Sequence, residues 1–152
     1  PVPDVDLAAG AHYLGWDILC LGRTAAGEKF DAGEIRQTTD IMLAGDLIWS
    51  ERCRMKGGSP LLESSAGLAG APVSGIMIAA GKNVPAVLLA QCRAVTVDAP
   101  ARAGISAMPG ILVARYTGHS CEQAKAYFIA LWRKLRPFVA GRAAVLPRIW
   151  NT

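Results

Sequence analysis

The sequence has 152 residues, enough for one domain with a sizeable hydrophobic core. Hydrophobic residues make up 52% of it and charged residues 18%, so the chain is richer in apolar groups than an average soluble domain. Either the fold buries its surface efficiently, or part of that surface lies against another molecule. The net charge of +4 is modest and the basic residues are spread along the chain apart from a cluster at 133–136, which argues only weakly for nucleic acid as a partner.

Neither a membrane span nor a secretory signal is predicted. No window approaches about 18 consecutive apolar residues, and the start, PVPDVDLAAG, lacks the basic-then-apolar layout of a signal peptide. Because the start also lacks an initiator Met, we expect a trimmed chain or part of a longer protein. The cysteines are far apart and mostly lie in apolar runs, which predicts reduced thiols in a cytoplasmic protein. They are Cys20, Cys53, Cys92 and Cys121.

The first half of the chain predicts β-strands. Residues 11–22 form a long apolar segment typical of a strand buried on both faces. A polar connection follows over 23–34. Residues 34–43 and 47–55 then predict a hairpin around a short turn at 44–46.

The second strand of this hairpin alternates with period two. Leu47, Trp49, Cys53 and Met55 fall on one face, and polar or basic residues fall between them. Glu51 breaks the pattern, because it shares the apolar face.

The second half predicts strands at 72–80, 94–97 and 111–116, with a short helix over 84–93 that Asn83 caps.

A second helix is the strongest pattern in the chain. Ser120 and Gln123 have the spacing of a capping box, and Pro137 predicts an end near residue 136. An apolar stripe recurs at helical spacing. It consists of Ala124, Tyr127, Phe128, Leu131 and Leu135. Together these elements predict a mostly β (α+β) chain.

Enzymatic motifs are absent from the sequence. There is no P-loop, no G-x-S-x-G and no H-E-x-x-H, and the two histidines are not spaced as part of a triad. A local metal candidate is GHSCE, which brings together His119, Cys121 and Glu122. The alternative is a helix-capping loop with an incidental cysteine. A thiol enzyme that uses Cys121 and His119 is a weaker hypothesis.

Asp17 and Glu51 are the most informative residues, because each lies where the pattern requires an apolar side chain. An ionised carboxylate in apolar surroundings costs several kcal/mol unless it is paired or hydrated. Three arrangements remain open: an ion pair with an arginine, a protonated carboxyl group, or a wet internal passage. A passage lined by carboxylates would suit a protein that carries a metal cation.

Several segments, in this order, resemble the urease accessory protein UreD family. They are WDILCLGR with the following AAGEKF, LIWSERCRMKGG, GILVARYTG, LWRKLRP and the ending GRAAVLPRIWNT. The family is roughly twice as long, so the resemblance implies that residues 1–152 are the C-terminal portion of a single UreD-like domain. It also implies stacked β-sheets with two helices toward the C-terminus.

The resemblance further implies a function. UreD proteins are non-enzymatic chaperones of urease maturation that bind apo-urease and UreF, and through UreF the GTPase UreG. Nickel is expected in transit through an internal channel, with no tightly bound cofactor and no membrane or nucleic-acid partner. The matching acids are Asp17 and Glu51, with Glu28 as a third candidate. The alternative from the residues alone is a small-ligand-binding β domain.

Overall fold

Two β-sheets and a helical layer make up the computed structural model, which describes residues 4–23 and 26–151. The strands are β1 Val5–Leu7, β2 Tyr13–Cys20, β3 Glu34–Leu43, β4 Asp46–Lys56, β5 Val73–Ala80, β6 Arg102–Met108 and β7 Ile111–Gly118. The helices are α1 Pro60–Glu63, α2 Ala86–Arg93 and α3 Cys121–Ala140, and a 3₁₀ turn covers Arg148–Asn151. The predicted mostly β, α+β fold is confirmed.

The first sheet has the order β1-β3-β4, and the second has the order β2-β5-β7-β6. The second sheet has one apolar core on each face, because successive side chains of a strand point to opposite sides. In β5, Met77 and Ala79 pack toward α2 and α3. Ile78 and Ala80 pack instead with residues of the first sheet, such as Ile41. The molecule is therefore layered as sheet, sheet and helices.

Helix α3 starts as predicted and ends later than predicted. The Ser120 hydroxyl accepts a hydrogen bond from the Gln123 backbone N–H at 3.1 Å. The helix continues past Pro137 to Ala140, and Gly141 caps it in the left-handed conformation with a φ of 63°. Pro137 lies only one turn from the end, so its missing N–H removes a single hydrogen bond. The predicted apolar stripe is buried, as expected.

Loss of the α3 cap gives a first testable prediction. Replacing Ser120 by Ala is expected to lower the free energy of unfolding by about 1 kcal/mol, because a backbone N–H of the first turn loses its acceptor. Urea denaturation measures this difference. Ser106→Ala is the control, since Ser106 is exposed on β6 and caps no helix. An equal loss in both variants would contradict the capping role.

The β3–β4 hairpin is confirmed, but a β-bulge turns one residue that was predicted to face inward toward the outside. Ile41 pairs with Trp49, whereas Met42 pairs with Leu47, so Ile48 is the extra residue. Leu47 is therefore turned outward and is 56% exposed, although the alternation placed it on the apolar face.

The other differences lie at weakly patterned segments. Residues 94–97 form no strand; they follow α2 as irregular chain whose valines pack on the helix-side core. Asn83 does not cap α2, because its Oδ1 accepts from the Gly110 N–H at 2.7 Å. The short β1 and the exposed edge strand β6 were not predicted.

Two cysteines also differ from the prediction of reduced thiols. The end of β2 and the start of α3 bring Cys20 and Cys121 together in a disulfide with an S–S distance of 2.11 Å. Cys53 and Cys92 are free. No helix within the described residues is long and apolar enough to cross a membrane.

Candidate functional site

A cleft of about 220 Å³ lies between the two sheets, and we call it the inter-sheet cleft. The first sheet contributes Gln37, Thr39 and Glu51 to its lining, and the second contributes Asp17 and Arg115. These charged and polar side chains lie beside apolar lining residues such as Leu19, Met55 and Ile76.

Strand alternation directs both acids into this cleft. In β2, Trp16 and Ile18 pack on the helix-side core, so Asp17 between them faces the first sheet. In β4, Glu51 lies opposite Thr39 of β3, and Thr39 is only 7% exposed. The structure therefore brings together Asp17 and Glu51, which are distant in sequence.

Asp17 is held by a neighbour from the opposite sheet. The Gln37 side-chain amide donates a hydrogen bond from Nε2 to Asp17 Oδ2 at 3.1 Å. Burial raises the pKa of the Tyr13 hydroxyl, and the charge of Asp17 raises it further. The contact with Gln37 links the two sheets across the cleft.

Glu51 forms an ion pair within the cleft. Its Oε1 lies 2.8 Å from Arg115 Nη1, with the Glu51 side chain 27% exposed and the Arg115 side chain 53% exposed. An arginine partner was one of the three open arrangements for these acids, and the structure shows it for Glu51. Both side chains are partly exposed to solvent, so the site is open rather than sealed.

Cys53 reports on the charges of the cleft. Burial raises the pKa of its thiol, the negative charge of Glu51 raises it further, and the positive charge of Arg115 lowers it. Glu51→Gln is therefore expected to lower the pKa of Cys53 and to speed its alkylation at a fixed pH just above neutral. Arg115→Gln is expected to slow it.

Peptide-resolved mass spectrometry after timed iodoacetamide treatment measures these rates. The buried Cys92 is an internal control, because neither Glu51 nor Arg115 is among the causes of its raised pKa. Equal Cys53 rates in the wild type and in both variants would contradict the charge arrangement described here.

Glu28 lies apart from the other two predicted acids. Its carboxylate accepts from Arg23 at 2.5 and 2.8 Å on the exposed surface, and it does not line the inter-sheet cleft. The paired guanidinium lowers the pKa of this carboxyl group.

The GHSCE segment does not form the metal site that was considered for His119, Cys121 and Glu122. Cys121 is bonded to Cys20, and Glu122 accepts from the Ser120 hydroxyl at 2.9 Å. Within residues 4–23 and 26–151, no three side chains of the His, Cys, Asp or Glu type are arranged to hold a metal ion. The disulfide also removes the thiol that an enzyme using Cys121 and His119 would need.

Sequence reasoning missed part of the cleft. Gln37 and Thr39 share the inward face of β3 with Ile35 and Ile41, and this was a usable signal, because the hairpin register sets Thr39 against Glu51. Arg115 was only one of several candidate partners, since its strand follows β4 by more than fifty residues.

Fold and cleft define a layered α+β protein whose two sheets enclose a charged cleft. A family model described as UreD urease accessory protein matches residues 3–151. The chain therefore belongs to the UreD urease accessory protein family.

Curated relatives named urease accessory protein UreD support this assignment. The protein from Methylobacillus flagellatus is 47% identical over 149 residues, which cover 98% of this chain and 52% of the relative. That from Dechloromonas aromatica is 48% identical over 151 residues, which cover 97% and 52%. That from Nitrosococcus oceani is 47% identical over 148 residues, which cover 97% and 49%. The chain thus spans about half the length of these relatives.

Proposed function

We propose that this chain belongs to a non-catalytic accessory protein of urease maturation, which takes part in nickel insertion into apo-urease. The inter-sheet cleft is the path of the cation. The single observation that carries the proposal is the inward placement of Asp17 and Glu51 from different sheets into one solvent-accessible cleft. Membership of the UreD family supports the link to urease.

The chemistry of the cleft suits a cation in transit. Carboxylate and water oxygens are exchangeable ligands for a dication of borderline character such as nickel. Carboxylates placed in succession lower the desolvation cost of each step. In this proposal the ion is held only briefly at each carboxylate. The cation then moves toward urease because the final site there binds it more tightly.

Protein partners follow from the same proposal. The protein binds apo-urease on one side and UreF on the other, and the GTPase UreG joins through UreF. Several large apolar side chains are exposed and are available for such contacts. They include Leu47 at 56%, Val87 at 72% and Val145 at 75% exposure.

Glu28 remains a proposed third metal contact. Its exposed position and its ion pair with Arg23 are compatible with a role at the surface, before the cation enters the cleft. We expect its replacement by Gln to have a smaller effect than replacement of Glu51.

Co-expression with UreF and UreG, followed by affinity purification, tests the proposed partners. We expect the full-length protein to be recovered in a soluble complex, and the Glu51→Ala variant to be recovered equally well with reduced urease activation. Recovery of neither partner would contradict the accessory role. Loss of UreF binding by Glu51→Ala would show that Glu51 has a structural role and is not specific to nickel transfer.

The small-ligand-binding alternative is less well supported. Pockets for small ligands usually have volumes of about 300 Å³ or more. The inter-sheet cleft has a smaller volume, about 220 Å³.

A further inference from the structure

The charges that line the inter-sheet cleft are unequal in number. Two carboxylates, Asp17 and Glu51, face one guanidinium, and Arg115 is the only cation among the lining residues in the described chain. The arginines of β4 are directed elsewhere. Arg52 bonds Asp40 and Arg54 bonds Glu34, outside the cleft.

Arg115 is placed so that it can leave its partner. Its side chain is 53% exposed although its Nη1 contacts Glu51 Oε1 at 2.8 Å. Its neighbour on the edge strand β6 is Gly104, which has no side chain to confine it. A Cβ atom added at Gly104 would meet nothing within 4 Å. A rotation of the arginine side chain toward solvent therefore meets no packed neighbour on that strand.

We propose that Arg115 is a displaceable counter-ion that sets how tightly the inter-sheet cleft holds a divalent cation. The inference rests on the proposed function, in which the cation passes through this cleft. Arg115 competes with the cation for the Glu51 carboxylate, so a cation that binds there must first displace the guanidinium. When the cation leaves, the guanidinium returns to Glu51.

Electrostatics explains why such a residue would be useful in a passage. Two carboxylates without a counter-ion attract a dication strongly in surroundings of reduced dielectric constant. The guanidinium offsets one of them and repels the incoming ion, which weakens binding and shortens retention. A half-exposed arginine can do this reversibly, because its charge is stabilised by water in the displaced position as well.

The test is the affinity of the full-length protein, purified in its soluble complex with UreF, for Ni²⁺ added as the chloride and measured by isothermal titration. Arg115→Gln is expected to bind Ni²⁺ about tenfold more tightly than the wild type. Arg115→Lys retains the positive charge and is expected to stay close to the wild type. Arg54→Gln is the matched control, because that arginine is 58% exposed and ion-paired at 2.7 Å outside the cleft.

Nickel binding no tighter in Arg115→Gln than in Arg54→Gln would overturn the inference. So would a tightening that persists when Glu51→Gln is added, because the proposed competition is for that carboxylate. The proposed function has a separate readout: it fails if Glu51→Gln activates urease as the wild type does. If Glu51→Gln impairs activation while Arg115→Gln leaves the nickel affinity unchanged, the counter-ion role of Arg115 is wrong and the proposed function stands.

Discussion

Neutralising both acids of the inter-sheet cleft, by Asp17→Asn with Glu51→Gln, is expected to lower urease activation at least about tenfold. Each carboxylate stabilises a dication by more than about 1.4 kcal/mol when water is partly excluded, and that amount corresponds to a factor of ten. The amides keep the size of the side chains, and the amide oxygen of the introduced asparagine would still accept the hydrogen bond from Gln37. Complex formation is therefore expected to be unchanged. Urease activity after nickel addition to purified components measures the effect.

The control carries the same two chemical changes on the β3–β4 hairpin, outside the cleft. Glu34 and Asp40 pair with Arg54 and Arg52 there. Glu34→Gln with Asp40→Asn is expected to activate urease normally. Equal activation by the two double variants would contradict a role for the cleft in nickel passage. If only the cleft variant failed to form the complex, Asp17 and Glu51 would have a structural role instead.

Phe128→Ala is expected to lower the free energy of unfolding by about 3–5 kcal/mol, the range typical of a buried phenylalanine. Phe128 is 0% exposed in the core between α3 and the second sheet. A Cβ atom added at Gly75 would meet its ring at 2.5 Å, so the ring lies directly against β5. Its ring centroid is 5.4 Å from that of Tyr127 and 6.4 Å from that of Trp16. Removing the ring leaves a cavity beside the strand that carries Asp17.

Urea denaturation of the full-length protein measures this loss. Phe30→Ala is the control, because Phe30 is half-buried in a loop outside both apolar cores. We expect it to cost much less than Phe128→Ala. Similar losses in the two variants would show that the core between α3 and the second sheet does not dominate stability.

Much of the fold was predictable because each strong element combines two independent signals. Helix α3 has both a capping residue, Ser120, and an apolar stripe at helical spacing, so its start and its buried face were correct. Strand β4 has clear alternation, which correctly placed Glu51 on an inward face. Local pattern could not show the bulge at Ile48, because a bulge depends on how two strands pair. Leu47 was misplaced for that reason.

The candidate site was predictable in part. The inward direction of Glu51 follows from the alternation of its strand, which is a local property. Asp17 lies in a continuously apolar strand, so the pattern does not show which face it occupies. The meeting of the two acids in one cleft was not predictable either, because it depends on how the two sheets stack. The ion pair of Glu51 with Arg115 joins residues that are far apart in the sequence, and so does the Cys20–Cys121 disulfide. Contacts of this kind need the tertiary structure.

The location of nickel in the protein tests the central claim most directly. Crystals of the full-length protein soaked in nickel chloride, with diffraction data collected at the nickel absorption edge, give the positions of the bound ions. The account predicts anomalous density between the two sheets, in contact with the carboxylates of Asp17 or Glu51, and its loss in the Asp17→Asn, Glu51→Gln double variant. Density found only outside the cleft and unchanged in that variant would contradict the account.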